Sequence, residues 1–230
     1  MINKKETKTM TKASDLGTRQ FSADQKARME KCVREFLSIV DDPDREGLVE
    51  TPKRVVKYWT ELLEGQLYTN AEIAEMYNKC FSFDGGEDED TYLPAKSGDA
   101  IKEDLVVETG IQVFSHCEHH LALMYDLDVT IAYIPKDRVI GLSKMARIAQ
   151  MCAKRLQLQE KLGADINEVL RLVLHTNDVA VIIKGKHGCM TARGVKAREA
   201  VTKSASLQGR FKYDNALRTE LYSLMNSHSN

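Results

Sequence analysis

Residues 105–134 read LVVETGIQVFSHCEHHLALMYDLDVTIAYI, and the change of pattern inside them decides the fold class. Leu105, Val106 and Val107, followed by Ile111, Val113 and Phe114, make a run of strand character. Val129-Thr130-Ile131-Ala132-Tyr133-Ile134 is a second such run, ended by Pro135-Lys136-Asp137. Between them lies Ser115-His116-Cys117-Glu118-His119-His120, the densest cluster of chemically active side chains in the chain.

Working downstream, helical spacing covers about residues 143–155 and 157–175. A third strand follows over 179–184, a fourth within 200–211, and a last helix near 215–225. The order strand, strand, helix, helix, strand, strand predicts an antiparallel α+β unit rather than alternating βαβ. Upstream, residues 23–40 place Met29, Val33, Phe36, Leu37 and Val40 on one helical face, and Asp41-Asp42-Pro43-Asp44 stops that helix. Thr51-Pro52 starts the next, with Thr as a good N-cap and Pro tolerated at the first turn. It runs through Val55, Val56, Trp59 and Leu62 to Gly65, and a shorter helix follows over about 71–80. Gly85-Gly86, Glu87-Asp88-Glu89-Asp90, Pro94 and Gly98 mark a solvated acidic loop. The expected division is a polar tail at 1–20, a helical extension at 21–82, an exposed loop at 83–100 and a main domain at 101–230.

Composition narrows the function classes. The chain has 230 residues, 33 Lys+Arg against 34 Asp+Glu, and 43% hydrophobic residues, which is ordinary globular usage. The formal net charge of −1 argues against a general nucleic-acid coat, though a local basic pocket is compatible with it. No apolar run approaches the roughly 20 residues of a membrane span. The opening MINKKETKTMTKASDLGTRQ lacks the apolar core of a secretory signal, so a cytoplasmic location is expected. Five Cys is an odd count for a disulfide framework, leaving metal binding or simple burial for some of them.

His187-Gly188-Cys189 ends the third strand pattern and forms a second half-site. Thiolate and imidazole suit Zn²⁺, and a Cys-x-x-His pair plus a remote Cys gives three ligands and an open fourth position. On an extended strand Cys117 and His119 would share a face; in a turn Cys117 converges with His120. The strand signal fades here, which favours the turn. Alternatively both thiols are inert and the histidines lie on the surface. Gly141-Leu142-Ser143-Lys144 opens a helix whose free N–H groups, with Lys144 and Arg147 on one face, would suit phosphate. Arg54 and Lys57 repeat that spacing, and Arg193 is a further cation. Glu160, after Gln159, could accept from guanine N1–H and the 2-amino group, a donor pair adenine lacks. Each of these basic or polar pairs is also compatible with plain surface.

Taken together and in order, Arg45-Glu46-Gly47-Leu48, Thr51-Pro52-x-Arg54, Phe114-Ser115-x-Cys117-Glu118-His119-His120-Leu121, Ala132-Tyr133-Ile134-Pro135, Gly141-Leu142-Ser143-Lys144, Gln159-Glu160 and His187-x-Cys189-Met190-x-x-Arg193-Gly194 closely resemble the GTP cyclohydrolase I family. The resemblance implies a tunnelling fold, four antiparallel strands with two helices between the second and third. It also implies a closed barrel in a homodecamer of two pentamers, with sites at subunit interfaces. The implied reaction takes GTP and water to 7,8-dihydroneopterin triphosphate and formate, the start of pterin and folate-type synthesis. The implied cofactor is Zn²⁺ on Cys117, His120 and Cys189, activating water toward C8 of guanine. His119 and His187 are the implied proton carriers, and Gln159 and Glu160 the holders of the guanine edge. Arg54, Lys57, Ser143, Lys144, Arg147 and Arg193 would surround the triphosphate.

Departures from the family pattern lie nearby. Leu123-Met124-Tyr125-Asp126 stands where members often carry Pro-Phe-x-Gly, and Lys184-Gly185-Lys186 replaces a small or acidic stretch. The two lysines either add to the phosphate grip or face solvent. Two rivals have other sequence requirements. A deazaguanine nitrile reductase of the same fold needs a nucleophilic Cys and NADPH but not the second half-site. A non-catalytic zinc-stabilised GTP-binding protein could dispense with His119 and His187, both of which are present.

Overall fold

The computed structural model describes residues 16–82 and 105–226. The first 15 residues of the polar tail and the acidic loop at 83–100 lie outside the described residues. The chain divides into two compact units, one through Leu67 and one from Tyr68 onward.

The first unit is helical. α1 (Ala23–Val40) begins at a capping box in which the Ser22 hydroxyl accepts from Gln25 N and the Gln25 side chain accepts from Ser22 N. It buries no residue, and Phe36, Ile39 and Val40 stay exposed. α2 (Thr51–Leu62) carries Pro52 in its first turn, but the N-cap is Glu50 rather than Thr51. Val56 and Pro52 are its buried positions.

The second unit opens with α3 (Asn70–Met76), held by a Thr69–Glu72 capping box and packed on α5 (Gln159–Leu174). This helix therefore belongs with the sheet, whereas the sequence reading grouped it with the extension at 21–82. β1 (Cys80–Ser82) pairs with β4 (Arg138–Ile140) in a two-stranded ribbon that the sequence reading did not contain. The main sheet has the order β5-β2-β3-β6-β7. β2 (Val106–Cys117), β3 (Leu123–Tyr133), β6 (Val179–His187) and β7 (Thr202–Leu207) are antiparallel neighbours. β5 (Leu156–Gln157) adds a short parallel pairing beside His116 and Cys117. α4 (Leu142–Ala153) and α5 lie between β3 and β6 in the chain, so the unit is α+β as expected.

The core follows from the periodicities. α5 buries Leu162, Ile166, Val169, Leu170 and Val173, a stripe at helical spacing, each such side chain contributing roughly 1.5–3 kcal/mol of burial. It ends where His175 takes φ +55, the left-handed cap that stops a helix. At Gly163 the helix lies so close that an added Cβ would sit 3.6 Å from both Ile183 Cδ1 and Ser206 Cβ. On either side of that glycine, α5 inserts amides into the sheet: Gln159 Nε2 donates to Ile183 O and Thr202 O, and Asn167 Nδ2 to Val179 O and Ser206 O. The alternate residues of the strands, Ala132 and Ala180, pack with Phe211 and with Leu221 of α7 (Asn215–Asn226). Beneath α3, Arg155 donates to Asn70 Oδ1, Tyr68 O and Asp165 Oδ2, a buried knot joining three elements.

Candidate active site

Two turns at one end of the sheet carry the Cys and His side chains of the two half-sites. β2 ends at Cys117, and Glu118-His119-His120 turns the chain back toward β3. Cys117 N donates to Ala122 O at 2.9 Å and closes that turn. The turn brings Cys117 Sγ to 3.9 Å from His120 Nδ1, the convergence that the turn alternative required. β6 ends at His187, and the single helical turn α6 (Gly188–Thr191) presents Cys189. Met124 of β3 stands opposite both Ser115 and His187, so one strand registers both turns.

The ligand atoms of Cys117, His120 and Cys189 all lie within 4.8 Å of one another, the only such His, Cys, Asp or Glu group among the described residues. Cys117 is buried, Cys189 half-buried and His120 exposed, so the cluster is open on the imidazole side. The donors fit zinc. With bonds of about 2.3 Å to sulfur and about 2.0 Å to nitrogen, tetrahedral geometry sets S···N near roughly 3.5 Å, a small contraction from the separation seen. Burial, and then the neighbouring Cys117, pushes the Cys189 thiol up. A cation between the sulfurs acts in the opposite sense. His116, the remaining histidine of the cluster, is buried in β2 and is not one of the grouped donors.

His187 and His119 differ in setting. Burial pulls the His187 imidazole down, and the charge of Glu160 opposes that. His187 Nε2 lies 2.9 Å from Gln159 Oε1. His119 is exposed, with its ring edge-on to His120 at 6.2 Å between centroids. Gln159 was expected at a guanine edge, but it is 1% exposed. Its Nε2 is committed to Ile183 O, Thr202 O and Ser204 Oγ, and its Oε1 to His187. Of the Gln-Glu pair only Glu160 is exposed, in the first turn of α5. The carbonyl partners of Gln159 carry no sequence pattern, so this bond was not legible in advance.

The remaining cations are spread over several elements. Ser143, Lys144 and Arg147 lie on the first turns of α4, whose N-cap is Gly141. Arg193 follows α6 and bears electrostatically on Cys189. Arg54 and Lys57 are on α2 of the first unit, where Arg54 pairs with Glu50 at 2.6 Å. Lys57 lines a cavity of about 390 Å³ there, with Arg19, Lys26 and Glu61 among its neighbours. Lys186 stands 3.8 Å from Glu199, and Lys184 is exposed between Asp128 and Lys203 in register.

Residues 29–226 match the family model described as GTP cyclohydrolase I. The chain is similar to a GTP cyclohydrolase 1 of Clostridium acetobutylicum, 51% identical over 204 residues that cover 88% of this chain and 98% of that one. It is 48% identical to a GTP cyclohydrolase 1 of Clostridium botulinum strain Kyoto over 82% of this chain and 91% of the relative. A GTP cyclohydrolase 1 of Clostridium beijerinckii is 44% identical over 86% of this chain and 95% of its own.

Proposed function

The chain belongs to the GTP cyclohydrolase I family, and from that premise we propose that it is an enzyme converting GTP and water to 7,8-dihydroneopterin triphosphate and formate at a zinc held by Cys117, His120 and Cys189. The observation that carries the reading is the convergence of these donors from turns some seventy positions apart in the sequence, about 72 by residue number. Zinc bound there would supply Lewis acidity and lower the pKa of a water molecule.

The chain's own residues account for the rest. Glu160, exposed at the start of α5, accepts from guanine N1–H and the 2-amino group, which selects guanine over adenine. Gln159 orients His187 instead of touching the base. Its NH₂ faces two backbone carbonyls, so its oxygen must face His187, and Nε2 of the neutral imidazole carries the proton. His187 Nδ1 is then the atom free to exchange a proton with the purine as its ring opens. His119, on the opposite turn, is the second proton carrier. Ser143, Lys144, Arg147 and Arg193 contact the triphosphate, and the family resemblance extends that role to Arg54 and Lys57.

We further propose the tunnelling fold and its closed barrel of five subunits per ring, paired as a decamer. Among the described residues β7 pairs only with β6, and β2 from Val106 to Ser115 pairs only with β3. Such free edges are covered or paired in stable proteins, and edge-to-edge closure of identical copies does this. The exposed Phe36, Ile39 and Val40 of α1 are apolar surface that assembly would cover. No helix among the described residues is long and apolar enough to cross a membrane. A cytoplasmic setting suits thiol ligands that must stay reduced. The test is direct: purified protein incubated with GTP should release formate and form a fluorescent pterin in equal amounts. Release of phosphate or GDP without formate would overturn the reading.

A further inference from the structure

Cys189 sits on the least self-sufficient element of the site. α6 is four residues long, buries none of them, and has no side-chain cap at its start. A single helical turn fixes several dihedrals for one hydrogen bond and does not hold itself in place. Its position must come from outside.

On one side Ala197 N donates to Met190 O at 2.9 Å, and on the other the support is the start of β3. Ala122 O accepts from Cys117 N and fixes the first turn. The next residue packs on the second turn: a Cβ added to Gly188 would lie 3.0 Å from Leu123 O, so the backbones touch. Tyr125 then reaches across. Its Oη donates to Thr191 Oγ1 at 3.0 Å, and Thr191 Oγ1 donates to His187 O at 3.2 Å. The Thr191 hydroxyl has one proton, and its bond to the carbonyl uses it, so Tyr125 must be the donor in the other. This relay clamps the residues two before and two after Cys189. A register shift in the β3–β6 pairing between Tyr125 and Asp128, with Asp126 at φ +51, re-aims the strand at this point. Tyr125 occupies the unspecified position of the Pro-Phe-x-Gly stretch from which the chain departs.

We propose that Tyr125, acting through Thr191, is a positioning residue of the metal centre: it holds the Cys189 turn in register with Cys117 and His120. This rests on the zinc reading above. Outer partners of metal ligands typically change affinity by about 10- to 100-fold when removed, and a hydroxyl relay that fixes the ligand's backbone belongs to that class.

The test uses full-length wild type, Tyr125→Phe, Thr191→Val and Thr191→Ser, with zinc affinity read by competition against a chromophoric chelator. Thiolate–cobalt absorption is read after substitution with Co²⁺. Tyr125→Phe keeps the ring and removes one oxygen. It should weaken zinc binding about 10-fold or more and alter the cobalt spectrum. Thr191→Val should do the same or more, since it also removes the bond to His187 O. Thr191→Ser should restore wild-type affinity, and the Phe/Val double variant should be no worse than Thr191→Val alone, since that change already cuts the whole relay. Wild-type affinity and cobalt spectrum in Tyr125→Phe, or additive losses in the double variant, would overturn the proposal. If wild type itself binds no zinc, it is the metal reading that fails, which separates the two.

Discussion

The Gln159 carboxamide oxygen lies 2.9 Å from His187 Nε2, while its nitrogen is turned to Ile183 O, Thr202 O and Ser204 Oγ. The amide cannot be flipped without setting its oxygen against two carbonyl oxygens. One buried side chain thus ties β6, β7 and the His187 imidazole into a fixed arrangement. Gln159→Leu removes the acceptor and leaves buried carbonyls unpaired. The kcat should fall about 10- to 100-fold with a smaller change in KM. A raised KM at unchanged kcat would put Gln159 back at the guanine edge.

Glu160 is the complementary case. It is exposed, so Glu160→Ala should leave folding intact. Loss of a charge-assisted bidentate contact should lower kcat/KM for GTP by about 30- to 1000-fold. Steady-state kinetics on GTP measures this, and an unchanged kcat/KM would remove Glu160 from the site.

The Cys117 and Cys189 sulfurs, within 4.8 Å of one another, are placed to join once metal is stripped. Of the other thiols, Cys152 is buried and pushed up to about 12, chiefly by desolvation, and is inert. Cys32 is exposed and can be alkylated beforehand. Chelator followed by diamide should then oxidise the Cys117–Cys189 pair, with loss of both thiol hydrogens by mass spectrometry and loss of zinc rebinding until a reductant is added. Persistence of both free thiols would mean that the turns separate without metal.

The knot under α3 makes a stability prediction. Arg155 and Asp165 have side chains 8% and 7% exposed. Burial would push the Asp165 carboxyl up, but hydrogen bonds from Lys161 and Asn70 and the charges of Lys161 and Arg155 outweigh it and hold it below its ordinary value. A carboxyl depressed in the folded state contributes stability above its unfolded pKa of about 3.9 and loses it as pH falls through the folded value. Asp165→Leu leaves the Arg155 charge buried and unpaired, which should cost about 3–5 kcal/mol at pH 7. The gap to wild type should narrow only below about pH 4. Denaturant melts at pH 7 and pH 3 check this; a gap independent of pH would contradict the ionic account.

The elements with strong local signals were legible. Val129, Thr130 and Ile131 announce β3, and the Leu162, Ile166, Val169 and Leu170 spacing announces α5. The beginning of β3 was not, because Asp126 and Asp128 interrupt the alternation and the left-handed Asp126 leaves no pattern a strand reading can use. β5 and the β1–β4 ribbon are too short to carry a period. At the site, Cys117, His120 and Cys189 were legible because metal donors are few in kind and their spacing is restrictive. The side-chain partners of Gln159 carried no signal, since they include backbone carbonyls of β6 and β7 that only the folded register places beside it. Tyr125 and Thr191 carried no signal at all, being ordinary residues joined across 66 positions.

The central claim is that zinc is held by two half-sites, and one measurement addresses it most directly. Elemental analysis is done on wild-type and Cys189→Ser protein purified side by side, with the oligomer checked by light scattering. The account predicts about one zinc per chain in wild type and near none in the variant, with the same assembled particle in both. Full zinc occupancy in Cys189→Ser would contradict it.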